Sequence, residues 1–190
     1  NSFAKINLGL EVLRKREDNY HEIKTLFQTI SLYDILEFKP AKGDKILLQG
    51  NESTLSWAED NLIYKAALLL KEEFDILKGI EIQAKKNIPP GKGLGGGSSN
   101  AAMTLYALNK IWDLHLEKKA LIALGKKLGA DVPYFLEGGL CLGTGRGDDI
   151  VPLADLPHFW CVLALPSFAI STASIYSSFP SSLTSDDKES

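Results

Sequence analysis

The residues of this chain best suited to chemistry lie between Asn87 and Asn100, which reads Asn-Ile-Pro-Pro-Gly-Lys-Gly-Leu-Gly-Gly-Gly-Ser-Ser-Asn. Five glycines in the seven positions Gly91 to Gly97 let the backbone take φ > 0 and bring its N–H groups close to an anion. The strongly helical Ala-Ala-Met-Thr-Leu-Tyr-Ala-Leu that follows adds the positive end of its dipole. Such a segment cradles phosphate, and a nucleotide is the first ligand to expect. The alternative is a flexible linker, but linkers do not usually run into two serines placed to cap a helix. Asp131, in Leu-Gly-Ala-Asp-Val-Pro, can accept a proton from a reacting hydroxyl, or can cap the short helix that Pro133 opens. Lys5 sits in an alternating polar and apolar run, and by pattern alone is a solvated charge.

The glycine segment fits none of the commonest phosphate loops. Gly91-Lys92-Gly93-Leu94-Gly95-Gly96 matches the dinucleotide fingerprint literally, yet Pro89-Pro90 separates it from the preceding strand and a long helix occupies the space where the second strand and its acidic residue belong. In a Walker A loop Lys is followed by Ser or Thr, whereas Lys92 precedes Gly93. The catalytic signatures of protein kinases are absent.

The elements that must position these residues can be read from periodicity. Ala4, Ile6, Leu8, Leu10 and Val12 alternate with Lys5, Asn7, Gly9 and Glu11, which predicts a half-buried strand with Lys5 and Asn7 on one face. A charged hairpin-like connection over Arg14–Asn19 leads to a second extended segment, Tyr20–Leu32, with short strands at Ile35–Phe38 and Ile46–Gln49 in an antiparallel sheet. Helical spacing starts at Asn61 with Asp60 as N-cap; a strand covers Ile80–Ala84, and helices cover Ser98 to about Trp112, Glu117–Leu128 and Tyr134–Glu137. Gly129 reads as a C′ residue, Leu140–Leu142 as a strand, and the apolar run Trp160–Leu165 has strand length.

With 190 residues, the chain holds one full domain and at most part of a second. The formal charge of −3 and the pI near 5.7 argue against a general nucleic-acid or anionic-membrane binder. Cys141 and Cys161 form neither a disulfide framework nor a zinc pattern, and the three histidines lack metal-ligand spacing, so no protein metal site is expected and a reducing cytoplasm fits best. No apolar run is long enough to span a membrane. Both ends read as cut, with a polar tail at the C-terminal end.

The string Pro-Pro-Gly-Lys-Gly-Leu-Gly-Gly-Gly-Ser-Ser-Asn-Ala-Ala resembles the second motif of the GHMP kinases. The triple glycine, with Phe-Ala-Lys-Ile-Asn-Leu at Phe3–Leu8, Asn-Tyr-His at Asn19–His21 and Leu-Gly-Ala-Asp-Val-Pro at Leu128–Pro133, is similar to the isoprenoid-pathway branch of that family, whose acceptor is a cytidine diphosphate methylerythritol. The family's third glycine-rich motif is not among these residues. The resemblance implies an α+β fold: a GHMP kinase N-terminal domain, a mixed β-sheet with helices, over residues 1–157, then the start of a ferredoxin-like C-terminal domain over 158–190. It implies transfer of phosphate from ATP, with Mg²⁺, to a hydroxyl of a small-molecule substrate, and no nucleic-acid or membrane partner. Asp131 becomes the base, and Lys5 the partner that orients or polarises the attacking hydroxyl.

Pro89, Pro90, Gly91, Lys92, Gly93, Leu94, Gly95, Gly96, Gly97, Ser98 and Ser99 would wrap the phosphates. The serine hydroxyls are available to a phosphate or Mg²⁺, or are simply helix caps. Asn61 and Lys86 would line the nucleotide pocket, or be a helix start and a solvent-exposed charge. Asn7 would bond the substrate near its hydroxyl, Tyr20 stack on the cytosine, His21 bond its polar edge and Phe27 pack nearby, although the residues alone suggest a core Phe27 and a turn Tyr20. Thr172 and Tyr176 lie in a segment resembling the one that covers the cytosine from its other side. The rival readings are another GHMP alcohol kinase, a nicotinamide-dependent oxidoreductase and a nucleotide-binding module without catalysis.

Overall fold

The computed structural model describes residues 1–18 and 20–166. Ten elements follow in order: β1 (Ser2–Lys15), β2 (His21–Ala41), β3 (Ile46–Gly50), α1 (Leu62–Glu73), β4 (Gly79–Lys85), α2 (Gly96–Ile111), α3 (Lys118–Leu128), α4 (Val132–Glu137), β5 (Leu140–Thr144) and β6 (Asp149–Pro152). The sheet is mixed, with strand order β3-β4-β2-β5-β6 and β1 paired to β2. Among the described residues only β3 and β4 run parallel, joined through α1, as a parallel pair requires a crossover.

One strand organises the sheet. Where the sequence suggests two extended pieces, β2 is continuous over 21 residues. It pairs with β1 from His21 to Asp34, with β5 from Thr25 to Gln28 and with β4 from Ile35 to Ala41. Strand β1 departs from simple alternation because three register shifts interrupt its pairing, between Phe3 and Lys5, Asn7 and Gly9, and Val12 and Arg14. The first shift lets Ala4 and Lys5 both turn inward, at 0% and 6% exposure, while Leu8 and Leu10 face solvent. The expectation of a solvated Lys5 is therefore corrected.

The helices bury their apolar faces against β2, β4 and β5. Ala66 and Ala67 of α1 and Ala101 and Ala102 of α2 are fully buried in this shared core, and their small side chains let the two helices pack closely. Leu105 and Leu108 hold α2 in place, each burial being worth about 2 kcal/mol. The N-cap of α1 is Asn61, whose Oδ1 accepts the Ile63 N–H at 2.9 Å; Asp60, the expected cap, accepts from the Ser56 hydroxyl instead. Helix α3 ends at Gly129 as expected, but in extended backbone (φ 172°) rather than a left-handed turn. Trp160–Leu165 forms no strand. Of the cysteines, Cys141 is buried in β5, where burial pushes its thiol up to about 11, and Cys161 is exposed.

Candidate active site

The glycine segment links β4 to α2 and forms one wall of a cavity of about 390 Å³. Leu94 helps to hold its shape: the side chain packs with Ala4 and Ile88, and its carbonyl accepts the Lys5 main-chain N–H at 3.0 Å. Gly95 closes the loop at the N-cap of α2 with φ +71°. A Cβ there would lie 2.5 Å from Phe135 Cζ and 3.2 Å from Lys5 Cγ, so glycine is needed for space as well as conformation. Through these contacts the loop touches both the strand that carries Lys5 and the helix that follows Asp131.

All eleven residues from Pro89 to Ser99 except Ser99 line the cavity, and Asn61 and Lys86 line it as well. Neither serine caps α2. Ser99 is 1% exposed, its hydroxyl donates to the Phe3 carbonyl at 2.6 Å and lies 2.7 Å from the Ser2 hydroxyl, so its hydroxyl is committed inside the protein, and Ser98 alone retains the expected role toward a phosphate. Lys86 is no surface charge: its side chain is 5% exposed and bonds Asp34 and Asn100. Trp57 also lines the cavity, its indole N–H donating to the Glu52 carbonyl at 3.0 Å. No motif in the sequence singles out Trp57.

At the loop's edge the Lys5 ammonium approaches Asp131 Oδ2 at 3.7 Å, an ion pair longer than a hydrogen bond. Its short contact is to Asn7 Oδ1, at 2.6 Å. The Asn7 amide in turn donates to Thr25 Oγ1 at 2.7 Å, and Thr25 donates to the Gly9 carbonyl at 2.7 Å, a chain that fixes which way the amide faces. Beneath the ammonium lies the Phe27 ring, 5.3 Å from Nζ. Phe27 is 1% exposed and packs on Tyr134, the core position that the residues alone suggest, and it supports Lys5 from within the core. Asp131 occupies the N-cap position of α4 yet makes no capping hydrogen bond, and its side chain is 35% exposed. Its carboxylate is therefore open to a ligand.

A second group forms where β1 turns into β2. Tyr20 is 53% exposed, with its carbonyl accepting the Arg16 N–H at 2.8 Å, and His21 is half-buried at the first position of β2. The Arg146 guanidinium lies 5.0 Å over the Tyr20 ring. A hydrogen bond to Asp148 at 2.8 Å fixes that guanidinium and holds its pKa above the ordinary value. The β5–β6 turn carrying Arg146 is tied to β2 by the Ile23 N–H, which donates to the Gly145 carbonyl at 2.8 Å. Arg146 and Thr25 were not legible as site residues; each takes its place through pairing with a distant strand. Thr172 and Tyr176 lie outside the described residues.

Among the described residues no group of three or more His, Cys, Asp or Glu side chains is placed to hold a metal ion, and no helix is long and apolar enough to cross a membrane. Residues 61–139 match the family profile described as GHMP kinases N terminal domain. The chain is 47% identical over 173 residues to a 4-diphosphocytidyl-2-C-methyl-D-erythritol kinase of Geobacillus sp. (strain WCH70), covering 91% of this chain and 60% of that protein. It is 45% identical over 177 residues to the protein of the same name from Prochlorococcus marinus (strain MIT 9215), covering 93% of this chain and 57% of the relative. A crystal structure of 4-(cytidine 5'-diphospho)-2C-methyl-D-erythritol kinase superposes with a TM-score of 0.70 at 42% identity, over 82% of this chain and 55% of the other. The Methanococcus jannaschii mevalonate kinase, at 16% identity and TM-score 0.61 over 80% of this chain and 54% of its own, shares the fold. The chain thus spans about 60% of the length of the curated relatives it matches.

Proposed function

This chain belongs to the GHMP kinase family, whose N-terminal domain it carries, and on that premise we propose that the protein transfers the γ-phosphate of ATP to the 2-hydroxyl of 4-diphosphocytidyl-2-C-methyl-D-erythritol. The observation that carries the reading is the approach of Lys5 to an Asp131 carboxylate without capping duty, beside a glycine loop bonded to the Lys5 main chain. A nucleotide-binding module would need the loop alone.

The loop's N–H groups and Ser98 take the phosphates, while Asn61, Lys86 and the Trp57 wall face the rest of the nucleotide. Asp131 accepts the proton of the acceptor hydroxyl as its oxygen bonds the γ-phosphorus; the bond from phosphorus to the β,γ-bridging oxygen breaks, and ADP leaves. Lys5, aimed by Asn7 and backed by Phe27, donates to the hydroxyl oxygen or a γ-oxygen as charge shifts between them. Where Mg²⁺ accompanies the phosphates, the Ser98 hydroxyl would help hold it, and the ion would neutralise part of their charge. Tyr20 and His21 stack on and hydrogen-bond the cytosine. On this reading the protein works in the cytoplasm; of the second domain expected over 158–190, residues 167–190 lie outside the described residues.

The experiment is phosphate transfer from radiolabelled ATP by the full-length protein to the cytidine diphosphate acceptor, to mevalonate and to homoserine. Label on the cytidine acceptor alone is the expected result. Label on another alcohol moves the protein to a different branch of the family, and no transfer to any of them overturns the reading.

A further inference from the structure

Asp34 is fully buried in β2 and takes no part in the chemistry described above. Among the described residues, its side-chain hydrogen bonds run to the elements that frame the nucleotide cavity. Oδ1 accepts the main-chain N–H groups of Asn87 at 2.7 Å and Ile88 at 2.8 Å, where the chain leaves β4 for the glycine loop. Oδ2 accepts from the Lys86 ammonium and from Asn100 Nδ2, at 2.9 Å, in the first turns of α2. Asn100 Oδ1 accepts from Lys86 at 2.7 Å, which closes a triangle of side chains around the Lys86 Nζ. Lys86, Ile88 and Asn100 line the cavity, and Asp34 stands behind them. A carboxylate and an ammonium this dry are tolerable only as a hydrogen-bonded pair. Their charges cancel locally, so Lys86 offers a ligand a fixed donor with little net charge.

We propose that Asp34 is a positioning residue of the nucleotide site that acts through Lys86: it holds the ammonium as a charge-compensated donor toward the uncharged part of the nucleotide, base or ribose, and leaves the phosphates to the glycine loop. This rests on the nucleotide reading given above. The two ligand parts are separated by calorimetric titration of the full-length protein with ADP and with inorganic tripolyphosphate. Failure of the unsubstituted protein to bind ADP overturns the nucleotide reading and the role of Asp34 together. With ADP bound, Asp34→Asn weakens it about tenfold, because hydrogen bonds made by a charged group are misdirected, while tripolyphosphate binds as well as before or better. Equal loss for both ligands, or no loss of ADP, overturns the role of Asp34 alone. If Asp34→Asn does not fold, the charge-neutral double variant Asp34→Asn, Lys86→Met is titrated in its place. It loses ADP affinity selectively; wild-type ADP affinity or equal loss of both ligands overturns the proposal.

Discussion

The proposed nucleotide half and the proposed acceptor half of the site are built from different materials. Around the cavity, the ligand-facing groups are mostly main chain and glycine, and their positions are set by buried contacts: Leu94 against Ala4 and Ile88, Gly95 against Phe135, Lys86 against Asp34. Beside the β1–β2 hairpin, the groups are large side chains carried by turns, an exposed Tyr20 and a half-buried Arg146 from the β5–β6 turn. On the proposed reading the first half holds phosphates, the part of the ligands that does not vary with the acceptor, so rigidity there costs no versatility. Acceptors differ in shape, and side chains on turns can change without disturbing a core. Lys5, Asn7 and Asp131 lie on the seam.

The seam provides the largest expected effect. Asp131→Asn should lower turnover about a thousandfold with little change in the KM of either substrate, as read by steady-state kinetics; undiminished turnover removes Asp131 as the base. Lys5→Gln should cost about a hundredfold in turnover, and a change confined to the KM for ATP would reassign it to the nucleotide half. Within that half, Gly95→Ala should raise the KM for ATP and lower stability by about 2 kcal/mol in denaturant titration, since the added methyl meets Phe135 in a left-handed backbone. Across the contrast, Tyr20→Ala and His21→Ala should each raise the acceptor KM about tenfold while stability stays within about 0.5 kcal/mol for Tyr20→Ala. A loss of stability for Tyr20→Ala comparable to that of Gly95→Ala would erase the distinction between the halves.

The same contrast governs what was legible in the sequence. The phosphate loop could be read directly, because glycines, a Pro-Pro entry and a helix start are local features with local consequences. The helices were placed within a few residues for the same reason. Lys5 could not be read by pattern, since its burial depends on a register shift between two strands that alternation does not reveal. Asp34 sits in Leu-Tyr-Asp-Ile-Leu with no signal at all; its partners lie 52 to 66 residues further along the chain. Ser99 looked like a cap and is a link in a buried chain, Asn100 to Ser2 to Ser99 to the Phe3 carbonyl. Family resemblance placed Lys5 beside Asp131, where periodicity placed it in water.

Strand β2 holds His21 at its start, Thr25 and Phe27 beneath the seam, and Asp34 behind the nucleotide cavity. In an extended chain each added or deleted residue reverses the facing of everything beyond it. A single insertion between Gln28 and Asp34 would swing Asp34 away from Lys86 or turn the His21–Phe27 stretch over, whichever end yielded. The length of this strand is thus fixed by what it serves at both of its ends, and insertions or deletions are tolerated only at the turns on either side.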